Sequence, residues 1–310
     1  MGEQLFYFFV YPGMLFAGVI GIIFSWADRK VTARVQFRQG PPVLQPFYDF
    51  IKLLLVKETI LPKNGSVIFF LLAPVLGLFG ATAAAVIILM PALGLTSGFR
   101  GDIIVLFYLL AIPTLMFIVG ALASGNPLSS VGAAREIKLV VSYELSFILI
   151  IAAVIVKSDF SLQMEEIMAV QQSRGAFIGS LSGVLLFIAA LVVIQGKAGM
   201  VPFDMAEAET ELAEGIFMEY SGTAYAIIKY TKYILLFILP VFIAEIFLGG
   251  LHFEGIHILW SILKVLFVLV LMILIRNTNP RLKIGQAMRF YLLWINLLVI
   301  AGLVFHYLGI

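Results

Sequence analysis

Between Asp204 and Glu219 this sequence sets six carboxylates, Asp204, Glu207, Glu209, Glu211, Glu214 and Glu219, and no base. Carboxylates that crowd together raise one another's proton affinity and exchange protons as a group. The run is therefore a candidate proton-handling or coupling cluster. If it is helical, Asp204, Glu207, Glu211 and Glu214 share one face, at i, i+3, i+7 and i+10. The plainer alternative makes Asp204 an N-cap with Glu207 at the third helical position, a capping box on a solvated face. Three more charges interrupt long apolar runs. Glu144 and Lys264 lie well inside theirs, where an ionisable group is costly and by default marks a functional path. For Glu144 the plain alternative is a carboxyl hydrogen-bonded to a neighbouring helix. Lys264 needs a countercharge, which Glu144 or the acidic run could supply. Glu245, near the end of its run, reads as a side chain reaching back to the interface.

The elements that carry these charges follow from composition. Apolar residues make up 62% of the 310 and charged residues 12%, with a mean hydropathy of +1.09. Soluble domains carry about 25% charged residues, so water is not this chain's only solvent. Eight apolar runs stand out, Leu5–Trp26, Val67–Pro91, Ile103–Ala123, Ile137–Val156, Phe177–Ile194, Ala224–Leu248, Ile256–Ile275 and Phe290–Tyr307. A span needs ~20 residues and must pair its backbone internally, so the expectation is an all-α bundle of about eight transmembrane helices. The ~10-residue alternation of a membrane β-barrel is absent. No stretch remains for a soluble domain of ordinary size, which makes residues 1–310 a single transmembrane domain. The start, MGEQLF, lacks the basic region of a secretory signal, so the first run reads as a retained span.

Sixteen of the 20 Lys and Arg fall on one side of such a bundle, in the first loop, around Arg135 and Lys138, at Lys197, Lys229 and Lys232, and from Arg276 to Arg289. Only Arg100, Lys157 and Arg174 fall on the other. This bias places the long loops in the cytoplasm and both termini outside. In the first loop Val43 to Lys57 is too short and too charged to span, and fits an amphipathic interfacial helix. Gly179 and Gly183 form a G-x-x-x-G that would let two helices approach closely. No internal repeat suggests the inverted halves of a secondary transporter. With no Cys, and with His252, His257 and His306 apart from any cluster, neither an iron–sulfur cluster nor a metal is expected in this chain. The basic first and last loops are explained by cytoplasmic retention of positive charge. Alternatively Arg29, Arg34 and Arg38 dock a partner subunit or line a chamber.

The same segments carry a resemblance. Asp28 to Pro41 (DRKVTARVQFRQGP), Gln45 to Lys52 (QPFYDFIK) and Lys57-Glu58 resemble the first-loop signature of the complex I membrane subunit at the junction of its two arms. Ser142-Tyr143-Glu144 is similar to that family's fourth-span motif. Pro202 to Glu209 (PFDMAEAE), Glu211-Leu212 and Glu219 to Gly222 resemble its acidic loop. Arg276, Asn277, Pro280-Arg281, Gln286 and Met288 resemble its last cytoplasmic loop. The resemblance implies eight spans, with cytoplasmic loops forming a chamber against a nickel–iron-hydrogenase-like large subunit and an iron–sulfur small subunit, beside antiporter-like membrane subunits. It implies that the nickel–iron centre and iron–sulfur clusters belong to those partners and that the lipid bilayer, not a nucleic acid, is the other contact. It assigns Glu144, Asp204, Glu207, Glu209, Glu211, Glu214 and Glu219 to an ion-translocation path or its mouth. Lys264 joins them on its own position. Arg29, Arg34, Arg38, Asp49, Lys52, Arg276 and Arg281 become docking or chamber residues. One departure is informative. Quinone-reducing members carry about six more residues between the Gly-Pro and the Gln-Pro, where this chain has only Pro42, Val43 and Leu44. The short form resembles relatives in energy-converting membrane-bound hydrogenases and other ferredoxin-linked complexes. The alternatives are the quinone-chamber subunit of an NADH:quinone oxidoreductase and a stand-alone ion transporter.

Overall fold

Apolar runs with no water to pair their backbones can only close hydrogen bonds locally, and every regular element among the described residues is helical. The computed structural model describes residues 2–95, 99–253, 255 and 257–309, with the backbone alone at Glu209 and Thr210. In chain order the helices are α1 (Gly2–Phe9), α2 (Met14–Val35), α3 (Gln45–Ile51, prolonged by a π turn, Lys52–Val56), α4 (Val67–Ala92), α5 (Asp102–Ala123), α6 (Pro127–Lys157), α7 (Met164–Arg174), α8 (Leu181–Lys197), α9 (Glu209–Leu212), α10 (Gly222–Phe247), α11 (His257–Thr278), α12 (Ile284–Arg289, then a π turn, Phe290–Ile295) and α13 (Asn296–Tyr307).

Among the described residues, seven helical segments are long and apolar enough to cross a membrane, α1 and α2 counting as one and α12 and α13 as another. The expected fifth span is shorter than its apolar run. Phe177–Gly179 form a 3-10 turn and Ser180 caps α8, accepting from the N–H of Gly183 at 3.1 Å, so the helix keeps 17 residues. That is the lower end of what can span. The first run is also not one helix, because residues 10–13, with Pro12, separate α1 from α2. α7 lies in a loop for which the sequence suggested no helix.

Glycines set the close approaches, but not the pair expected. Gly179 has nothing nearby, and a side chain at Gly183 would meet the carbonyl of Phe177 in its own preceding turn. The tight helix contacts lie elsewhere. A Cβ at Gly80 of α4 would come within 2.7 Å of Ile112 on α5, and Gly18 and Gly21 of α2 face Tyr230 and Tyr233 of α10. Small residues let backbones approach where lipid offers no hydrophobic drive. α10 is the central helix, with 83% of its apolar window buried, against 33% for α11.

The helix that organises the site is α6. Its 31 residues rise ~46 Å, well beyond the ~30 Å hydrocarbon layer. Asn126 caps it, accepting from Leu128 N–H at 2.8 Å, with Pro127 at the first helical position. The C-terminal half runs antiparallel to α8, Lys157 meeting Ser180 and Ser182, and Glu144 meeting Lys197. The N-terminal half is wrapped by the acidic loop, whose Ala206, Gly215 and Ile216 close on Gly132 so tightly that a Cβ there would sit 2.9 Å from the nitrogen of Ile216.

Candidate functional site

The acidic segment is not one helix. Met205–Glu207 and Gly215–Phe217 are 3-10 turns, α9 is a single turn, and Ala213 and Glu214 take positive φ (48° and 71°) between them. The expected shared face of Asp204, Glu207, Glu211 and Glu214 does not exist, and Asp204 caps nothing. The physical reason is that three of the acids are drawn to bases on different elements. Asp204 accepts from Arg281 at 2.7 and 2.9 Å, Glu211 from Arg135 of α6 at 2.6 Å, and Glu207 pairs with Lys232 of α10. Glu219 accepts from the amide of Asn126 at 2.5 Å, fastening the end of the loop to the cap of α6. The side chain of Glu209 lies outside the described residues.

Beside the loop, the C-terminal end of α2 and the amphipathic α3 are joined by Arg29–Asp49 at 3.0 Å, and α2 is tied to α11 by Asp28–Arg276. Arg34, Arg38 and Lys52 are exposed, as is Phe37, fully. Tyr220, outside the spans, stacks on Phe70 at 4.1 Å and donates to its carbonyl at 3.0 Å, and burial pushes its phenol up. Two polar cavities open between these elements. One of 250 Å³ is lined by Arg29, Glu207, Glu214, Lys229 and Lys232, and one of 310 Å³ by Asp28, Asp204, Glu207, Lys232, Arg276 and Arg281. They share Glu207, Lys232 and Tyr233, so the Glu207–Lys232 pair stands where the two meet.

Deeper in the bundle Glu144 pairs with Lys197, the last residue of α8, at 2.5 Å. The Lys197 side chain is 2% exposed and Glu144 13%, and the ammonium sits over the rings of Phe147 (4.4 Å), Tyr143 (5.5 Å) and Phe107 (5.9 Å). The second carboxylate oxygen, Oε2, has no hydrogen-bond partner among the described residues. Between this pair and Glu207–Lys232 lies Glu136, buried on α6 and within electrostatic reach of both Glu207 and Lys232, with Tyr143 and Tyr291 close to it in turn. Titratable side chains thus stand at intervals between the loop cavities and the buried ion pair.

Two further expectations are corrected. Lys264 pairs with neither Glu144 nor the acidic loop; its ammonium donates to the carbonyl of Gly250 at 2.8 Å, at the far end of the bundle. Glu245 does not reach an interface; it is 1% exposed, covered by α7. Asp28, Arg135, Lys197, Lys229 and Lys232 enter the site although sequence reasoning treats them as motif or orientation residues, and Glu136 enters it with no sequence signal singled out. Lys229 and Lys232 were detectable, because they stand inside an apolar run, where a lysine needs a partner.

A family model described as NADH dehydrogenase matches residues 9–307. One subunit of the NADH-quinone oxidoreductase of Thermomicrobium roseum is 34% identical over 290 residues, covering 85% of this chain and 84% of its own. The corresponding subunit from Dehalococcoides mccartyi is 32% identical over 304 residues, covering 94% and 83%. A chain of the membrane-bound sulfane sulfur reductase, an archaeal respiratory membrane complex, superposes with a TM-score of 0.87 at 28% identity, covering 98% of this chain and 99% of its own. With the acidic loop, the paired bases and the first-loop arginines assembled on one helical membrane scaffold, the chain belongs to the NADH dehydrogenase family as a membrane subunit of a complex I-like respiratory complex.

Proposed function

We propose that this chain is the coupling subunit of a ferredoxin-linked, energy-converting respiratory complex with no quinone step. It anchors the peripheral redox arm and links its reaction to proton or sodium movement along the carboxylate series from Asp204 and Glu207 to Glu144. The long loops face the cytoplasm and both termini face outside. The nickel–iron-like large subunit and iron–sulfur small subunit dock on the surface around Arg34, Arg38 and Lys52, and antiporter-like subunits lie beside the bundle. The redox centres are theirs.

The observation that carries this reading is the connection from α2 to α3. Arg38 N–H donates to Ala33 at 2.6 Å, Lys30 to the carbonyl of Gln39 at 3.0 Å and Trp26 to that of Pro41 at 3.3 Å. Gly40, at φ +73°, makes the reversal. The chain thus folds straight back onto α2 and starts α3 at Gln45, leaving no segment to extend a quinone chamber. The matching sulfane sulfur reductase chain has the same extent, since the superposition covers 98% of this chain and 99% of that one. In this proposal protons are the electron acceptor and the complex evolves hydrogen. The likeness to the sulfane sulfur reductase favours a second reading, in which a sulfur compound is the acceptor.

Purified complex given reduced ferredoxin should evolve hydrogen, should show no quinone-dependent turnover and should ignore quinone-site inhibitors. Sulfide release without hydrogen supports the second reading. Saturable quinone reduction lost on changing first-loop residues contradicts both. Sidedness is tested separately in this Cys-free chain. Lys63→Cys and Gly285→Cys, both exposed, should label only from the cytoplasmic face and Ser173→Cys only from outside. Labelling of all three from one face overturns the topology.

A further inference from the structure

At the end of α10 farthest from the acidic loop, two acids are buried beneath α7. The Oδ1 of Asp102 accepts from the N–H of Met164 at 2.9 Å, at the start of α7. Two turns on, the Gln171 amide donates to the backbone carbonyl of Glu245 at 2.9 Å, while its oxygen accepts from Gly249 N–H at 2.9 Å. α7 is thereby pinned across both acids. Asp102 is 0% exposed and Glu245 1%. Among the described residues neither Oε1 nor Oε2 of Glu245 has a hydrogen-bond partner, nor has Oδ2 of Asp102.

The two acids interact electrostatically, and their settings differ. Asp102 is the first residue of α5 and bonds the first residue of α7, so the positive ends of two helices meet its charge. Glu245 is two residues from the end of α10, where the helix dipole is negative, and its carboxyl oxygens accept nothing among the described residues. The cations facing this region are engaged elsewhere, Lys264 on the carbonyl of Gly250 and Lys157 on Ser180 and Ser182. His252 contacts Gln172 at 3.3 Å. Glu165 and Glu166 of α7 add negative potential at Asp102. The helices α2, α4 and α8, which also pack on α10, bring no titratable side chain to this end. An unpaired carboxylate in a dry interior is so costly that the group takes up a proton instead, and two like charges in one such region do not both ionise.

We propose that Glu245 is a proton-binding site, a second titratable station at the face of the bundle away from the acidic loop. Its carboxylate takes one proton to become a neutral acid while Asp102 remains the anion. The site goes beyond the coupling role proposed above, and its protonation is independent of which redox partner the complex carries.

Infrared spectra of the purified complex in H₂O and D₂O across a pH series test it. The wild type should show the C=O band of a protonated carboxylic acid in apolar surroundings, shifted by D₂O and missing from E245Q. In D102N, with the repelling anion gone, the band should disappear at lower pH than in the wild type. Should E245Q fail to assemble, ¹³C-labelling of glutamate in the wild type must shift the band. A band that survives E245Q or ignores the label overturns the proposal. So does its loss on adding sodium at fixed pH, which would make the pair a metal-cation site.

Discussion

Lys197→Ala is expected to cost the complex most of its assembly. Removing one member of a buried ion pair destabilises by ~3–5 kcal/mol, because the other charge is left without a partner. Here the carboxylate left behind is Glu144, whose Oε2 already lacks a hydrogen bond. The substitution also removes a lysine stem and ammonium packed among Phe107, Tyr143 and Phe147. Membrane-extracted complex should fall in yield on a native gel and lose thermal stability. Replacing both members by apolar residues, Lys197→Met with Glu144→Leu, should restore assembly, since a buried pair exchanged for hydrophobic side chains is often neutral. Wild-type yield and melting behaviour from Lys197→Ala alone would show that the pair carries no structural weight.

The same residues explain why the architecture was readable from the sequence and much of the site was not. Spans declare themselves because each apolar run must satisfy its own backbone in lipid, so α4, α5, α10 and α11 fall where the runs do, while α6 begins ten residues before its run, at Pro127 rather than Ile137. Local breaks are less visible. Residues 10–13 interrupt the first run, and Ser180 captures the start of α8 after a 3-10 turn. Whether the acidic loop is one helix stays open in the sequence because the acids' partners are invisible locally. Arg135 lies 76 residues from Glu211 and Arg281 77 from Asp204, and those pairs bend the loop around α6. A crowd of carboxylates in sequence thus becomes a set of acid–base pairs in space. Lys197 is hidden for a related reason. At the end of an apolar run it looks like a loop charge, but the long α6 extends past the end of α8 and buries it against Glu144. Glu245 misleads in the opposite direction. Its place near a helix end suggests water, and only α7, bridging from Asp102 to Gln171, makes that end dry.

Charge pairing across helices also ties the loops to one another. Asp28–Arg276, Arg29–Asp49 and Asp204–Arg281 connect α2, α3, α11 and the acidic loop around the two cavities.

Glu144→Gln tests the coupling claim most directly. Glutamine keeps the volume and an acceptor oxygen for Lys197 but cannot take up or release a proton. The substitution also removes the countercharge of the buried Lys197, but the lysine keeps a hydrogen-bond partner and can release its proton to stay neutral, so the complex should assemble with a smaller loss of stability than Lys197→Ala. Positioned proton-transfer groups contribute roughly 10²–10⁴-fold in rate. Reconstituted in liposomes, the assembled Glu144→Gln complex should lose ion movement by a factor of that order, and redox turnover should fall with it where coupling is tight. Ion movement at the wild-type rate by an assembled Glu144→Gln complex would contradict the account.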